Sequence, residues 1–157
     1  MAEAKNAPTP GPLADLPSAK DLLTEIARRE AEKASAAMRE RSAADAEKAA
    51  LIEKFSKRSG VSDEERLARA AAIIKRAASN GLTQVEIFRF PNELCTDRGR
   101  AINQREAGWE KTLTGLPKEL YDFWEKNLKS RGYKVGFQIV DFPGGMLGDV
   151  GMTLRWN

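Results

Sequence analysis

Over residues 61–157 the apolar positions switch between the 3.6-residue period of a helix and the two-residue period of a strand. Leu67, Ala70, Ala71, Ile74 and Ala77 fall on one helical face. Ser62 with Glu65 makes a capping box before them, and Asn80-Gly81 supplies a left-handed stop. Leu82–Phe90 reads as a strand, Val85 and Ile87 facing one way, Phe88 and Phe90 the other, with Pro91 ending it. A short helix is expected around Arg100–Arg105. Pro117 suits the first position of another, whose apolar face is Leu120, Phe123, Trp124 and Leu128 and whose stop is Gly132. Tyr133, Val135, Phe137 and Ile139 then alternate with Lys134, Gly136, Gln138 and Val140. Val150, Met152, Leu154 and Trp156 alternate again. The turn-rich run 142–149 between them predicts an antiparallel hairpin.

The first sixty residues follow neither pattern. Lys20 to Lys57 is almost all Ala, Glu, Lys, Arg and Leu, which favour helix. Ser18 and Asp21 cap it, Glu25→Arg29 and Glu53→Lys57 are favourable i,i+4 pairs, and Ser59-Gly60 ends it. An apolar stripe runs Leu23, Ala27, Ala31, Ala34, Met38, then Ala49, Ile52 and Phe55. It breaks from Arg41 to Asp45, so no coiled-coil heptad with large core residues lasts three repeats. Two readings stand: a solvated single helix whose end docks on the domain, or an oligomerisation, coiled-coil or partner-binding arm. Residues 1–18, with four prolines and a glycine, predict a disordered tail.

The element order is α-α-β-(loop)-α-β-β. It predicts an α+β protein: a tail over 1–18, a charged Ala-rich helical arm over 19–59, and a small α+β domain over 61–157. The expected sheet is a three-stranded mixed one (β-α-β-β) covered by helices, with its first two strands parallel through a right-handed crossover. An edge strand is left for another chain to pair with.

Composition sharpens that division. Of eleven Phe, Tyr and Trp residues, only Phe55 precedes residue 61, so the core is built by the last hundred residues or so. The net charge of +3 divides into +1 over residues 1–60 (11 basic, 10 acidic) and +2 over 61–157 (15 basic, 13 acidic). Neither part carries a basic run of the kind that converges on phosphates. The Ala, Arg and Glu richness is that of a GC-rich bacterial or phage coding sequence. No signal-peptide pattern opens the chain and no apolar run approaches a membrane span, so no membrane association and a cytoplasmic location are expected.

There is no histidine and a single cysteine, Cys95. Ser-His and Cys-His catalysis, histidine metal ligation and Cys/His zinc sites are therefore excluded, as is an intramolecular disulfide. No Walker A or G-x-G-x-x-G motif is present. No cofactor and no metal site is expected.

Three places remain. Asn92, Glu93, Cys95, Asp97, Arg98, Arg100 and Arg105 crowd a loop after a strand, where ligands and partners commonly bind, and Trp109 with Arg98, Arg100, Arg105 and Lys111 offers a basic and aromatic surface. Cys95 near arginine is a candidate nucleophile, against a plain packing role. The glycine-rich run 143–149 leads from strand to strand, which favours a hairpin turn over a phosphate cradle; Met146 and Leu147 at its tip suit a protein contact. Of the carboxylates Glu106, Glu110, Glu119, Asp122, Glu125, Asp141 and Asp149, the last two flank one loop as a candidate cation site. The expected function is a non-enzymatic interaction, adaptor or assembly module, with the N-terminal helix oligomerising or tethering. The alternatives are a nucleic-acid-binding module using the Arg and Lys of 98–134, and a small enzyme using Cys95 or carboxylates.

Overall fold

The computed structural model describes residues 15–157; the tail expected over 1–18 lies, up to residue 14, outside them. The described chain divides into two compact units between Asp45 and Ala46. Helix α1 (Ala19–Ser56) is continuous through 38 residues and has no buried residue. Its start is the one read from the sequence: Ser18 Oγ accepts from the Asp21 amide at 3.1 Å. Glu25 accepts from Arg28 and Arg29, and Arg28 also reaches Glu32. Such pairs hold a helix that lacks a packed face. The hydrogen bond from Arg28, then that from Arg29, brings the Glu25 carboxyl down to about 2.

The second unit holds α2 (Asp63–Ser79), β1 (Gln84–Phe90), α3 (Arg100–Gln104), α4 (Gly115–Phe123), β2 (Lys134–Ile139) and β3 (Val150–Arg155). Ser62 Oγ caps α2 through the Glu65 amide at 3.2 Å. Helix α4 begins at Gly115, two residues before Pro117, and continues as a π-turn over Trp124–Leu128. The α+β class and the three-stranded sheet are as the pattern predicts. The pairing is not mixed: the strand order is β1-β3-β2 and both pairs are antiparallel. β1 and β2 do run in the same direction, but β3 lies between them. The hairpin returns β3 along β2, and β3 is the most buried strand, with Val150, Met152 and Leu154 at 0–1% exposure. A strand this apolar is best placed where both its edges are paired.

Strand β1 carries a second correction. A bulge between Glu86 and Phe88 lets Val85, Phe88 and Phe90 pair with Leu154, Met152 and Val150. All three therefore share one face, and Ile87 is the inserted residue. The apolar face of the sheet is completed by Val135, Phe137 and Ile139. Glu86, Arg89, Thr153, Arg155, Lys134 and Gln138 hold the opposite face.

Two groups of side chains cover the apolar face. Leu67 and Ile74 of α2 join Phe123, Trp124 and Leu128 over Met152 and Leu154. Leu94, Cys95, Ile102 and Leu113 gather with Phe90 and Val150. Ile52 and Phe55, from the last turns of α1, pack on this second group, and the Phe55 ring meets Phe88 edge-on at 4.9 Å. The compact unit that begins at Ala46 thus takes in the end of α1. Gly115, with φ +60°, lies so close to this end of α1 that a Cβ there would overlap Phe55 O and Ser56 Cα. No described helix is long and apolar enough to cross a membrane.

Candidate functional site

The polar run after β1 closes on itself. Cys95 and Leu113 form an isolated antiparallel bridge, with Thr96 N donating to Thr112 O at 2.8 Å and Thr114 N to Leu94 O at 3.1 Å. Asp97 accepts from the amides of Gly99 (3.0 Å) and Ala101 (2.9 Å), fixing the entry to α3. Asn92 is buried, and its Nδ2 donates to Leu147 O at 2.7 Å, tying this run to the hairpin loop. Glu93 pairs with Lys48 at 2.5 Å, leaving its Oε1 buried without a partner. Arg100 pairs with Glu106 at 2.7 Å. Arg98 is exposed in a left-handed turn. Asn92, Cys95 and Asp97 therefore face inward and hold the excursion together.

The Cys95 thiol is 3% exposed. Burial pushes its pKa up to about 11, the Asp97 charge adds to this, and a hydrogen bond with Thr112 opposes it. A thiol raised this far is almost wholly protonated at neutral pH and is a poor nucleophile. The folded chain should consequently react with a thiol-directed disulfide reagent far more slowly at pH 8 than the urea-unfolded chain. A folded pKa above the unfolded value means that the unfolded state loses its proton first. The stability this group contributes is present below about 9 and falls as pH rises toward 11. Equal labelling rates for folded and unfolded protein would show Cys95 to be accessible after all.

Asp141 and Asp149 do come together across the hairpin loop, and they meet on Arg89. Arg89 Nε donates to Asp149 Oδ2 at 2.9 Å, and Nη2 to Asp141 Oδ2 at 3.1 Å. Asp141 Oδ1 also accepts the Asp149 amide at 2.7 Å. The guanidinium takes the position that a cation would occupy, and the hydrogen bond with Asp149 raises the Arg89 pKa. Gly144 and Gly145 both have positive φ, the hairpin geometry read from the sequence. Met146 is 74% exposed, and Leu147 is half-buried with its carbonyl held by Asn92. Among the described residues no three His, Cys, Asp or Glu side chains stand together as a metal site.

Arg105 and Trp109 line a concavity. A groove of about 470 Å³ runs along β2 from Val135 to Gln138, with Ile102 of α3, Arg105 at its C-cap, Trp109, and Thr153 and Arg155 of β3 around it. Trp109 is seated by Phe137 at 5.1 Å and Tyr121 at 5.7 Å, ring centre to ring centre. The groove's charged residues are Arg105 and Arg155; no acid lines it. Strand β2 is its floor, an edge strand paired only with β3, in unbroken register over six residues. The other edge, β1, is interrupted by its bulge. Sequence alternation locates β2 but does not say which strand lies outermost, so β2 and Arg155 were not visible as site residues.

Three further cations are paired nearby: Lys118 with Asp122, Lys126 with Asp63 and Arg66 with Glu119. No family model matches the sequence, and comparison with curated proteins and with solved structures finds no match.

Proposed function

We propose that the chain is a non-enzymatic interaction module that takes up an extended, acidic segment of a partner protein along β2, with α1 as its tethering or oligomerising arm. The observation carrying this reading is the regular edge of β2, paired only with β3, opening on a groove whose only charges are Arg105 and Arg155. An edge strand offers a row of free N–H and C=O groups to an added strand. Main-chain bonds supply affinity there, and the two guanidiniums select for acid. Trp109, half-buried beside β2, supplies a rigid aromatic wall. The nucleic-acid reading has less support, because Arg100, Lys118 and Lys126 are each matched to a neighbouring carboxylate. The inaccessible Cys95 and the Arg89-bound carboxylates weigh against the enzymatic one.

Helix α1 supports the second part. It exposes Leu22, Leu23, Ile26 and Met38, the kind of apolar ridge that a second helix covers.

One set of samples tests both parts. Random-peptide display against the full chain should return acid-rich sequences, and a synthetic binder should shift the amide resonances of Lys134–Ile139. Arg105→Glu should weaken that binder roughly tenfold or more. Light scattering of the full chain beside a chain starting at Ala46, which keeps Ile52 and Phe55, reads the arm. Binders that map away from β2 and ignore Arg105→Glu would end the edge-strand reading, and the same number of chains per particle in both samples would end the oligomerising role of α1.

A further inference from the structure

A second concavity, independent of the β2 groove, lies between α2 and α4. It has a volume of about 210 Å³, and Ile87 and Leu154 of the sheet, Phe123 and Trp124 contribute to an almost wholly apolar lining. Ile73, 38% exposed, lies on its rim. Two departures from regular backbone shape it. The β1 bulge supplies Ile87, and the π-turn following α4 supplies Trp124 and Leu128. Such π-turns recur at functional sites.

The polar residues of this lining are Ser59, Arg66 and Arg69, and Arg66 is only 8% exposed. Its Nη2 donates to Ser59 Oγ at 2.6 Å and lies 3.8 Å from Glu119 Oε1, beyond hydrogen-bond range. Its guanidinium stands over the Phe123 ring at 5.7 Å. Nε and Nη1 have no hydrogen-bond partner among the described residues, although a guanidinium carries five donors. Arg69 also lines the cavity, and no carboxylate does. Arg66 keeps donors beyond those engaged by Ser59 and Glu119, and an anion carrying an apolar group would use them beside the apolar wall.

We propose that this cavity is a binding site for a small arylalkyl carboxylate, its ring between Phe123, Trp124 and the sheet and its carboxylate on Arg66. Size sets the class: a cavity of about 150 Å³ accepts a benzene, so 210 Å³ holds a phenyl ring with a short linker. The aromatic wall favours a ring over a flexible chain, and the Arg66 fork matches a carboxylate.

The test titrates the full chain with 3-phenylpropanoate and, separately, with the neutral 3-phenylpropanamide, following the Ile73 and Ile87 methyl resonances. The acid should saturate with a Kd on the order of 1 mM or tighter. The amide should bind roughly tenfold or more weakly, and Arg66→Met should weaken the acid to a similar degree. Ile73→Trp, which fills the rim from a partly exposed position, should abolish binding while leaving Arg66 in place. Should Arg66→Met fail to fold, the acid–amide comparison and Ile73→Trp still decide the matter. Equal affinity for acid and amide, retained binding in Ile73→Trp, or no saturation by about 10 mM would each overturn the proposal. The last outcome would do so even if a peptide or a second copy were found to cover the cavity.

Discussion

Phe90→Ala is expected to remove about 3–5 kcal/mol of stability. The ring is 1% exposed. It stacks on Phe88 at 5.6 Å and meets Phe137 edge-on at 6.1 Å. Its strand partner Val150 has no exposed surface, and Leu94 and Cys95 close the remaining sides. Each of these neighbours is held by the sheet or by the Cys95–Leu113 bridge, so the space left by the ring cannot easily collapse. Set against a total of about 5–15 kcal/mol for a domain, the loss threatens folding itself. A urea titration should show a much lower midpoint with an unchanged slope. Phe142→Ala, at a 53% exposed ring, should stay within about 0.5 kcal/mol of the parent. Similar losses from both variants would show that Phe90 is not the packed centre described above.

The second large effect belongs to Gly115→Ala. Two costs combine there. The residue has φ +60°, which costs a side-chain-bearing residue about 1–2 kcal/mol. The added methyl also runs into backbone atoms of Phe55 and Ser56, which have no flexible end to swing aside, and overpacking of this kind costs a further ~1–3 kcal/mol. Gly132→Ala separates the two, because Gly132 has φ +93° with nothing near its absent Cβ. It should show the conformational cost alone. If Gly115→Ala were no worse than Gly132→Ala in a thermal or urea melt, the end of α1 would not be seated against α4 in solution.

Local signals were legible in the sequence wherever one residue type sufficed. The Ser18 and Ser62 caps, the Glu25–Arg29 pair and the β2–β3 hairpin all follow from short-range chemistry. The bulge in β1 was not legible. Val85-Glu-Ile-Phe-Arg-Phe alternates well enough to hide an inserted residue, and only the fixed partners on β3 show which one is extra. Strand order was hidden for a related reason: a long crossover between β1 and β2 leaves open whether a third strand enters between them. The polar run at 92–105 carries a structural task that its composition does not announce. Asn92 and Asp97 are polar because buried backbone amides and carbonyls need partners there. Of the candidate residues, Arg105 and Trp109 reached a groove, and they did so through β2, thirty residues further along the chain.

The place of β3 has a consequence for how the chain comes to be folded. The strand that joins the sheet is made after both of its neighbours, so a growing chain carries β1 and then β2 with nothing to pair with. Phe90 meets its strand partner Val150 only after some sixty further residues are made. Contacts this distant in sequence slow folding and lengthen exposure to aggregation. Neither strand pair of the sheet can therefore form before residues 150–155 are made. The helices, whose hydrogen bonds are local, are the elements that do not need β3 to form.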